Sequence, residues 1–181
     1  MKICIINFSG RKGGNCHDVA KLVEQIEATE HEVTLLEMCD LDIEPCGKCG
    51  YECFSKDVIC PYAGDAIACI YSAVCSSDLA YYIVPNYINY PNAYFFIFNE
   101  RKQGFFAHKP DLLERYLRLR KKFVVISNTE EDNFREILGR HVLENGDVEY
   151  LFLATTSFDK GSARGGMMQC EQAKDIVRGF C

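Results

Sequence analysis

Four cysteines crowd one short segment, Cys46, Cys49, Cys53 and Cys60, with the spacing C-x2-C-x3-C-x6-C. Thiolates this close together can wrap one [4Fe–4S] cluster or one tetrahedral zinc ion, and left unligated they are free or redox-active thiols. Gly47 and Gly50 let backbone N–H groups approach an inorganic sulfide, and Pro61 follows the last cysteine, as in bacterial ferredoxin-type runs. The chain holds 11 cysteines, an odd count. Its apolar start follows a single lysine and runs into Arg11 and Lys12 with no cleavage-like site, so it does not read as an export signal. Reduced thiols in a cytoplasmic setting are therefore expected rather than a disulfide framework. Cys4, Cys39, Cys69, Cys75, Cys170 and Cys181 read as small hydrophobes, mostly on apolar faces.

A second chemistry sits at the start of the chain. Ser9-Gly10-Arg11-Lys12-Gly13-Gly14-Asn15-Cys16 is a glycine-rich polar loop between an apolar run and a helical pattern. Such a loop delivers a helix N-terminus, with unbonded backbone N–H groups and the positive end of the dipole. Ser9 adds a hydroxyl, Arg11 and Lys12 add charge, and Asn15 is the expected N-cap. This is a phosphate cradle by chemistry. It lacks GxxxxGK[ST], so it is not a Walker A loop, and it lacks GxGxxG, so it is not the dinucleotide fingerprint.

A third candidate is Pro85-Asn86-Tyr87-Ile88-Asn89-Tyr90. Tyr87 and Tyr90 offer aromatic surface, and Asn86 and Asn89 offer polar contacts suited to a flat heteroaromatic ring. Ser127-Asn128-Thr129-Glu130 and the loop from Thr155 to Gly166 are weaker additions. His17, His31, His108 and His141 show no metal-ligand spacing, and His17 reads as solvated or capping.

The elements that must position these residues alternate. Strands are expected at Lys2–Phe8, Glu32–Glu37, Leu79–Val84 (stopped by Pro85), Phe123–Ile126 and Val148–Ala154. Helices are expected at His17–Ile26, Tyr62–Cys75, Asn92–Asn99, Asp111–Arg120, Glu130–Leu143 and Met167–Gly179, with Gln103–Lys109 a loop. The basic run Arg115–Lys122 reads as a solvated helix end. Five strands alternating with helices make an α/β protein with a doubly wound five-stranded parallel sheet and right-handed crossovers. Ligands in such sheets bind beyond the C-terminal strand ends, where the loops after Phe8, Val84 and Ile126 would meet. A chain of 181 residues makes one domain, 1–181, with a cysteine-rich insert at about 38–61. The net charge of −6 argues against nucleic-acid or anionic-membrane binding, and no apolar run reaches membrane-spanning length.

The string Ser9-x-Arg11-x-x-Gly14-Asn15 resembles the phosphate loop of the flavodoxin-like NAD(P)H-dependent FMN reductases and iron–sulfur flavoproteins. Cys16 stands where that family carries Ser or Thr, and a thiol is a poorer donor than a hydroxyl. The resemblance continues at Pro85-x-Tyr87. It reaches Asn99-Glu100-Arg101, where the family has Asp-Arg, so the Arg matches and the Asp does not. It also places a compact cysteine motif between the second strand and the next helix, with its second gap one residue shorter than here. The resemblance implies a flavodoxin-like fold that holds FMN with Ser9, Arg11, Lys12, Gly13, Gly14, Asn15 and Cys16 at the phosphate and Pro85, Asn86, Tyr87, Ile88 and Asn89 at the ring. It implies an oxidoreductase moving electrons between NAD(P)H or a protein donor and an acceptor, with a [4Fe–4S] cluster on Cys46, Cys49, Cys53 and Cys60. It implies a homodimer or homotetramer serving a small-molecule or protein redox partner. The alternatives are a non-enzymatic flavodoxin-type carrier and a flavin-free fold with structural zinc.

Overall fold

A computed structural model describes residues 1–55, 59–128, 134–137, 147–161 and 163–181. The strands β1 (Lys2–Asn7), β2 (Glu32–Glu37), β3 (Leu79–Tyr87), β5 (Arg120–Ser127) and β6 (Val148–Ala154) form one parallel sheet, ordered β2-β1-β3-β5-β6. The two-residue β4 (Tyr90–Pro91) turns back antiparallel onto the end of β3. The helices are α1 (Asn15–Glu27), α2 (Ala66–Ser76), α3 (Ala93–Phe106), α4 (Pro110–Arg118) and α5 (Glu171–Phe180). The expected helix Glu130–Leu143 lies mostly outside the described residues.

Alternate strand residues feed opposite cores, as the period of two requires. Ile3 and Ile5 of β1 with Leu79, Tyr81 and Ile83 of β3 pack under α1 and α5. Cys4 and Ile6, then Phe8, with Tyr82 and Val84 pack under α2, α3 and α4. Both faces of the sheet are covered, which is why its strands read as nearly continuous apolar runs. The second core is aromatic. Phe8 meets Tyr82, Phe95 and Phe98 edge-on, with centroids 5.7, 5.4 and 5.4 Å away. Tyr71 stacks on Phe98 at 4.3 Å and donates its hydroxyl to the Phe98 carbonyl.

Four expectations are corrected. First, α3 does not end at Asn99; it runs to Phe106 through Gly104, because Phe105 and Phe106 pack on Tyr71, each at 5.1 Å. That burial outweighs the roughly 1 kcal/mol a helical glycine costs. Second, α2 starts at Ala66 rather than Tyr62, capped by the Asp65 carboxylate, which accepts from Ala68 N–H at 3.1 Å. Third, β3 does not stop at Pro85. β1 has already ended opposite Ile83, so on that side no ladder bond needs the missing N–H of Pro85. Fourth, Lys121 and Lys122 are not a solvated helix end but buried strand residues. The Lys121 ammonium donates to the carbonyls of Tyr116 (2.7 Å) and Leu119 (2.9 Å), and Lys122 donates to those of Phe180 and Cys181.

Buried thiols give the fold a pH signature. Burial pushes Cys4 and Cys16 up to about 12, and Cys75 and Cys181 up to about 11, from 9.0. Above pH 9 the unfolded chain releases these protons while the native state keeps them, so stability is present below that pH and falls as pH rises toward 11 or 12. Lys121, pushed down by burial to about 8 from 10.5, acts in the opposite sense between those two values. One ammonium does not outweigh four thiols. The urea midpoint should therefore fall steadily from pH 9 upward, and a flat profile would contradict the burial. Cys69 is the exception among the cysteines read as apolar: it is exposed.

Candidate functional site

The loop after β1 is shaped by its own side chains. Asn7 Oδ1 accepts from Ser9 N–H at 3.0 Å, and Ser9 Oγ accepts from Arg11 N–H at 3.2 Å. Gly13 and Gly14 take φ of 76° and 87°, and Gly14, with ψ of −177°, is the N-cap residue of α1. That conformation is essentially reserved for glycine. No side chain among the described residues caps α1. This corrects the expected role of Asn15, which is the first helical residue rather than the cap. Its Oδ1 accepts from Met167 N–H at 3.0 Å, while its buried Nδ2 has no hydrogen-bond partner among the described residues. The start of α1 therefore keeps its N–H groups uncapped and adds a buried amide donor. Cys16 beside it is buried, and with its pKa near 12 it is a neutral thiol. Arg11 donates to the carbonyl of Ala163 at 3.1 Å, and exposed Lys12 pairs with Asp40. At the end of β2, Glu37 accepts from Asn7 Nδ2 at 2.6 Å and faces His17 Nδ1 at 2.9 Å, so His17 is a paired side chain rather than a solvated one.

The loop after β3 meets this cradle. Ser9, Arg11, Gly13, Asn15, Cys16, Pro85, Asn86 and Tyr87 line one groove, closed by Ile126 from β5. Asn86 Nδ2 donates to Ser127 Oγ at 2.9 Å, fixing the loop to the end of β5. Ile88 and Asn89 both have positive φ, 51° and 64°, the signature of a tight hairpin turn between β3 and β4. They, Lys12 and Gly14 stand outside the groove lining. Tyr87, Ile88 and Tyr90 are exposed. Sequence reasoning missed Ile126 and Met167. Ile126 was findable, as the residue that sits beside Pro85 in parallel register at the C-terminal sheet edge. Met167 carried no signal, since it contributes a backbone N–H. Ser127 and Asn128 are described, whereas Thr129 and Glu130 lie outside the described residues.

The cysteine insert forms a separate cavity. Cys46, Cys49, Cys53 and Cys60 all line one space of about 520 Å³ with Tyr51, Phe54, Glu100, Arg101 and Gly104. Cys46 N–H donates to Glu100 Oε1 at 2.6 Å. Burial raises the Cys46 thiol, and a hydrogen bond to Glu52 raises that of Cys49. Among the described residues, no three His, Cys, Asp or Glu side chains converge as ligands of a single ion.

No family model and no curated protein matches the chain. Solved structures do. A putative quinone reductase from Klebsiella pneumoniae aligns with a TM-score of 0.66 at 12% identity, over 99% of this chain and 83% of that one. The NAD(P)H:(acceptor) oxidoreductase FerB from Paracoccus denitrificans aligns at 0.58 and 13%, over 99% and 94%. The apo form of an NADH:FMN oxidoreductase aligns at 0.58 and 14%, over 99% and 87%. The chain has the flavodoxin-like fold. In a flavodoxin-like sheet ordered β2-β1-β3, the chain switches direction between β1 and β3, and the crevice opens beyond their C-terminal ends. The groove above lies there. No helix among the described residues is long and apolar enough to cross a membrane.

The departure at Cys16 is testable within this flavodoxin-like frame. A serine there exchanges a weak S–H donor for a full hydroxyl at the same place. Hydrogen bonds to charged groups contribute about 1.5–3 kcal/mol. If a flavin phosphate occupies this groove, Cys16→Ser should bind FMN roughly tenfold more tightly by fluorescence titration, a tenfold change corresponding to about 1.4 kcal/mol. Weaker binding would show that the thiol is not at the phosphate.

Proposed function

We propose that this chain is an FMN-dependent oxidoreductase that draws electrons from NAD(P)H. The observation that carries the reading is the start of α1, uncapped by any side chain among the described residues, with the buried Nδ2 of Asn15 unpartnered among them too, in the groove shared with Pro85, Asn86 and Tyr87. These residues fit a flavin phosphate. Asn15 Nδ2, the N–H groups at the start of α1, Ser9 and Arg11 would hold the phosphate, with Gly13 and Gly14 keeping side chains away from it. Lys12 would add charge from outside. Pro85 to Asn89 would bound the ring, with Tyr87 and Tyr90 giving it aromatic surface. Bound FMN supplies hydride and single-electron exchange. The protein's part is to orient the ring, exclude water on the sheet side with Ile126 and Pro85, and hold Asn86 rigid through Ser127. The named activities of the solved relatives, on FMN, quinones and other acceptors, support this assignment.

The same reading places a [4Fe–4S] cluster on Cys46, Cys49, Cys53 and Cys60. Four cysteines lining one cavity supply the right donor set, because each cluster iron takes its own thiolate. A single zinc ion needs ligands that converge on one point. The exposed Tyr87, Ile88 and Tyr90 would meet a second copy of the chain, giving a homodimer or homotetramer.

Anaerobic purification followed by an absorption spectrum and steady-state NADH and NADPH oxidation tests the proposal. Flavin bands, iron with sulfide, and turnover without an added reductase are expected. Flavin bands without turnover would make the chain a carrier. Zinc without flavin would overturn the reading.

A further inference from the structure

We propose that Arg101 is the positioning residue of the cysteine site. It clasps both ends of the insert, so that the four cysteines line one cavity. The proposal rests on the cluster reading above.

Arg101 is 4% exposed, and a guanidinium is buried only where its donors are used. Nη1 donates to the Glu44 carbonyl at 2.8 Å, two residues before Cys46. Nη2 reaches the Tyr62 carbonyl at 3.4 Å, two residues after Cys60. Nη2 also donates to Asp65 Oδ2 at 2.7 Å, the carboxylate that caps α2, and the guanidinium lies over the Tyr62 ring at 3.9 Å. One planar fork thus ties the entry and the exit of the insert to the start of α2. Its neighbours on α3 complete the grip. Glu100 holds the backbone of Cys46, the first thiol. Gly104 leaves room for Cys60, the last: a Cβ built there would lie 2.9 Å from the Cys60 Sγ.

A purely structural staple would need no place in the cavity, yet Arg101 lines it with the four cysteines. Asp65 pairs with the guanidinium and Glu100 shares the cavity wall, so Arg101 acts by geometry, holding the backbone on both sides of the thiols. Lysine keeps the charge but cannot reproduce the fork.

The test compares Arg101→Met and Arg101→Lys with the unaltered protein, each purified anaerobically. Partners that orient metal ligands typically contribute on the order of 10–100-fold in affinity, so Arg101→Met should lose iron to a chelator faster by that factor. Arg101→Lys, which lacks the fork, should lose iron faster as well. In metal-free protein, alkylation at Cys46 and Cys60, read by mass spectrometry, should speed up in both variants. Exposed Cys69 and buried Cys4 should react as before, which reports that the fold is intact. Unchanged iron release and alkylation in Arg101→Met would overturn the proposal. If Arg101→Met does not fold, the release and alkylation readouts of Arg101→Lys decide it. If the unaltered protein takes up no iron, the cluster reading fails. Alkylation then still decides whether Arg101 positions the thiols: selective acceleration supports the clasp, and unchanged rates overturn it.

Discussion

Gly14→Ala should weaken FMN binding while leaving the sheet intact. Gly14 has φ 87° and ψ −177°, a region that costs other residues about 1–3 kcal/mol. Space is not the obstacle, since a Cβ there would come no nearer than 4.0 Å, to the Arg11 guanidinium. The backbone is. To escape the strain it must rotate, and that turns the first N–H groups of α1 away from the groove. An alanine that stayed in place would lower stability instead. Loss of the helix-start contacts should weaken FMN by roughly tenfold to a hundredfold, since each factor of ten is about 1.4 kcal/mol. Gly13 also has a positive φ, 76°, so its alanine variant should be strained too. Fluorescence titration of metal-free protein measures both. Equal affinity in Gly14→Ala and the unaltered chain would remove the cradle from consideration.

The largest effect on stability is expected at Phe8. It is fully buried, one residue past β1, and touches Tyr82, Phe95 and Phe98. Phe→Ala in a core costs about 3–5 kcal/mol. Against a typical total of about 5–15 kcal/mol, that is a large share. Phe8→Ala should shift the urea midpoint sharply downward with little change in slope, and Phe8→Leu should recover much of the loss. A cost below about 1 kcal/mol, ordinary for a surface site, would mean that the aromatic core is not what ties β1 to α3.

The strand–loop–helix at the start of the chain was legible because three signals agree there: an apolar run, a glycine pair and a helical period. The five parallel strands were legible because strands covered on both faces leave uninterrupted apolar runs. Other features depended on partners far away in the sequence. Asn15 looks like a cap until Met167 takes its carbonyl oxygen and leaves its amide nitrogen over. Pro85 looks like a stop until the early end of β1 removes the need for its N–H. Lys121 and Lys122 look solvated until four carbonyls in α4, the α4–β5 junction and the last residues receive their ammonium groups. Arg101 matched a family motif, yet nothing local showed that its donors would reach Glu44 and Tyr62. In each case tertiary contacts override local propensity.

One helix joins the two chemistries. Asn92 caps α3 by accepting from Phe95 N–H, and its Nδ2 donates to the carbonyl of Phe8 at the edge of the phosphate loop. Three turns on, Gly104 faces Cys60. At about 1.5 Å per residue, the 14 residues of α3 form a rod about 21 Å long. The rod works as a ruler. It sets the spacing between cradle and cysteine cavity, so if a flavin and a cluster sit there, the rate of electron transfer between them would depend on helix length. An insertion of one residue in α3 would rotate Glu100, Arg101 and Gly104 about 100° off the cavity while leaving Asn92 in place. Flavin affinity and thiol geometry would then separate, and the distance could be retuned only by adding or removing whole turns.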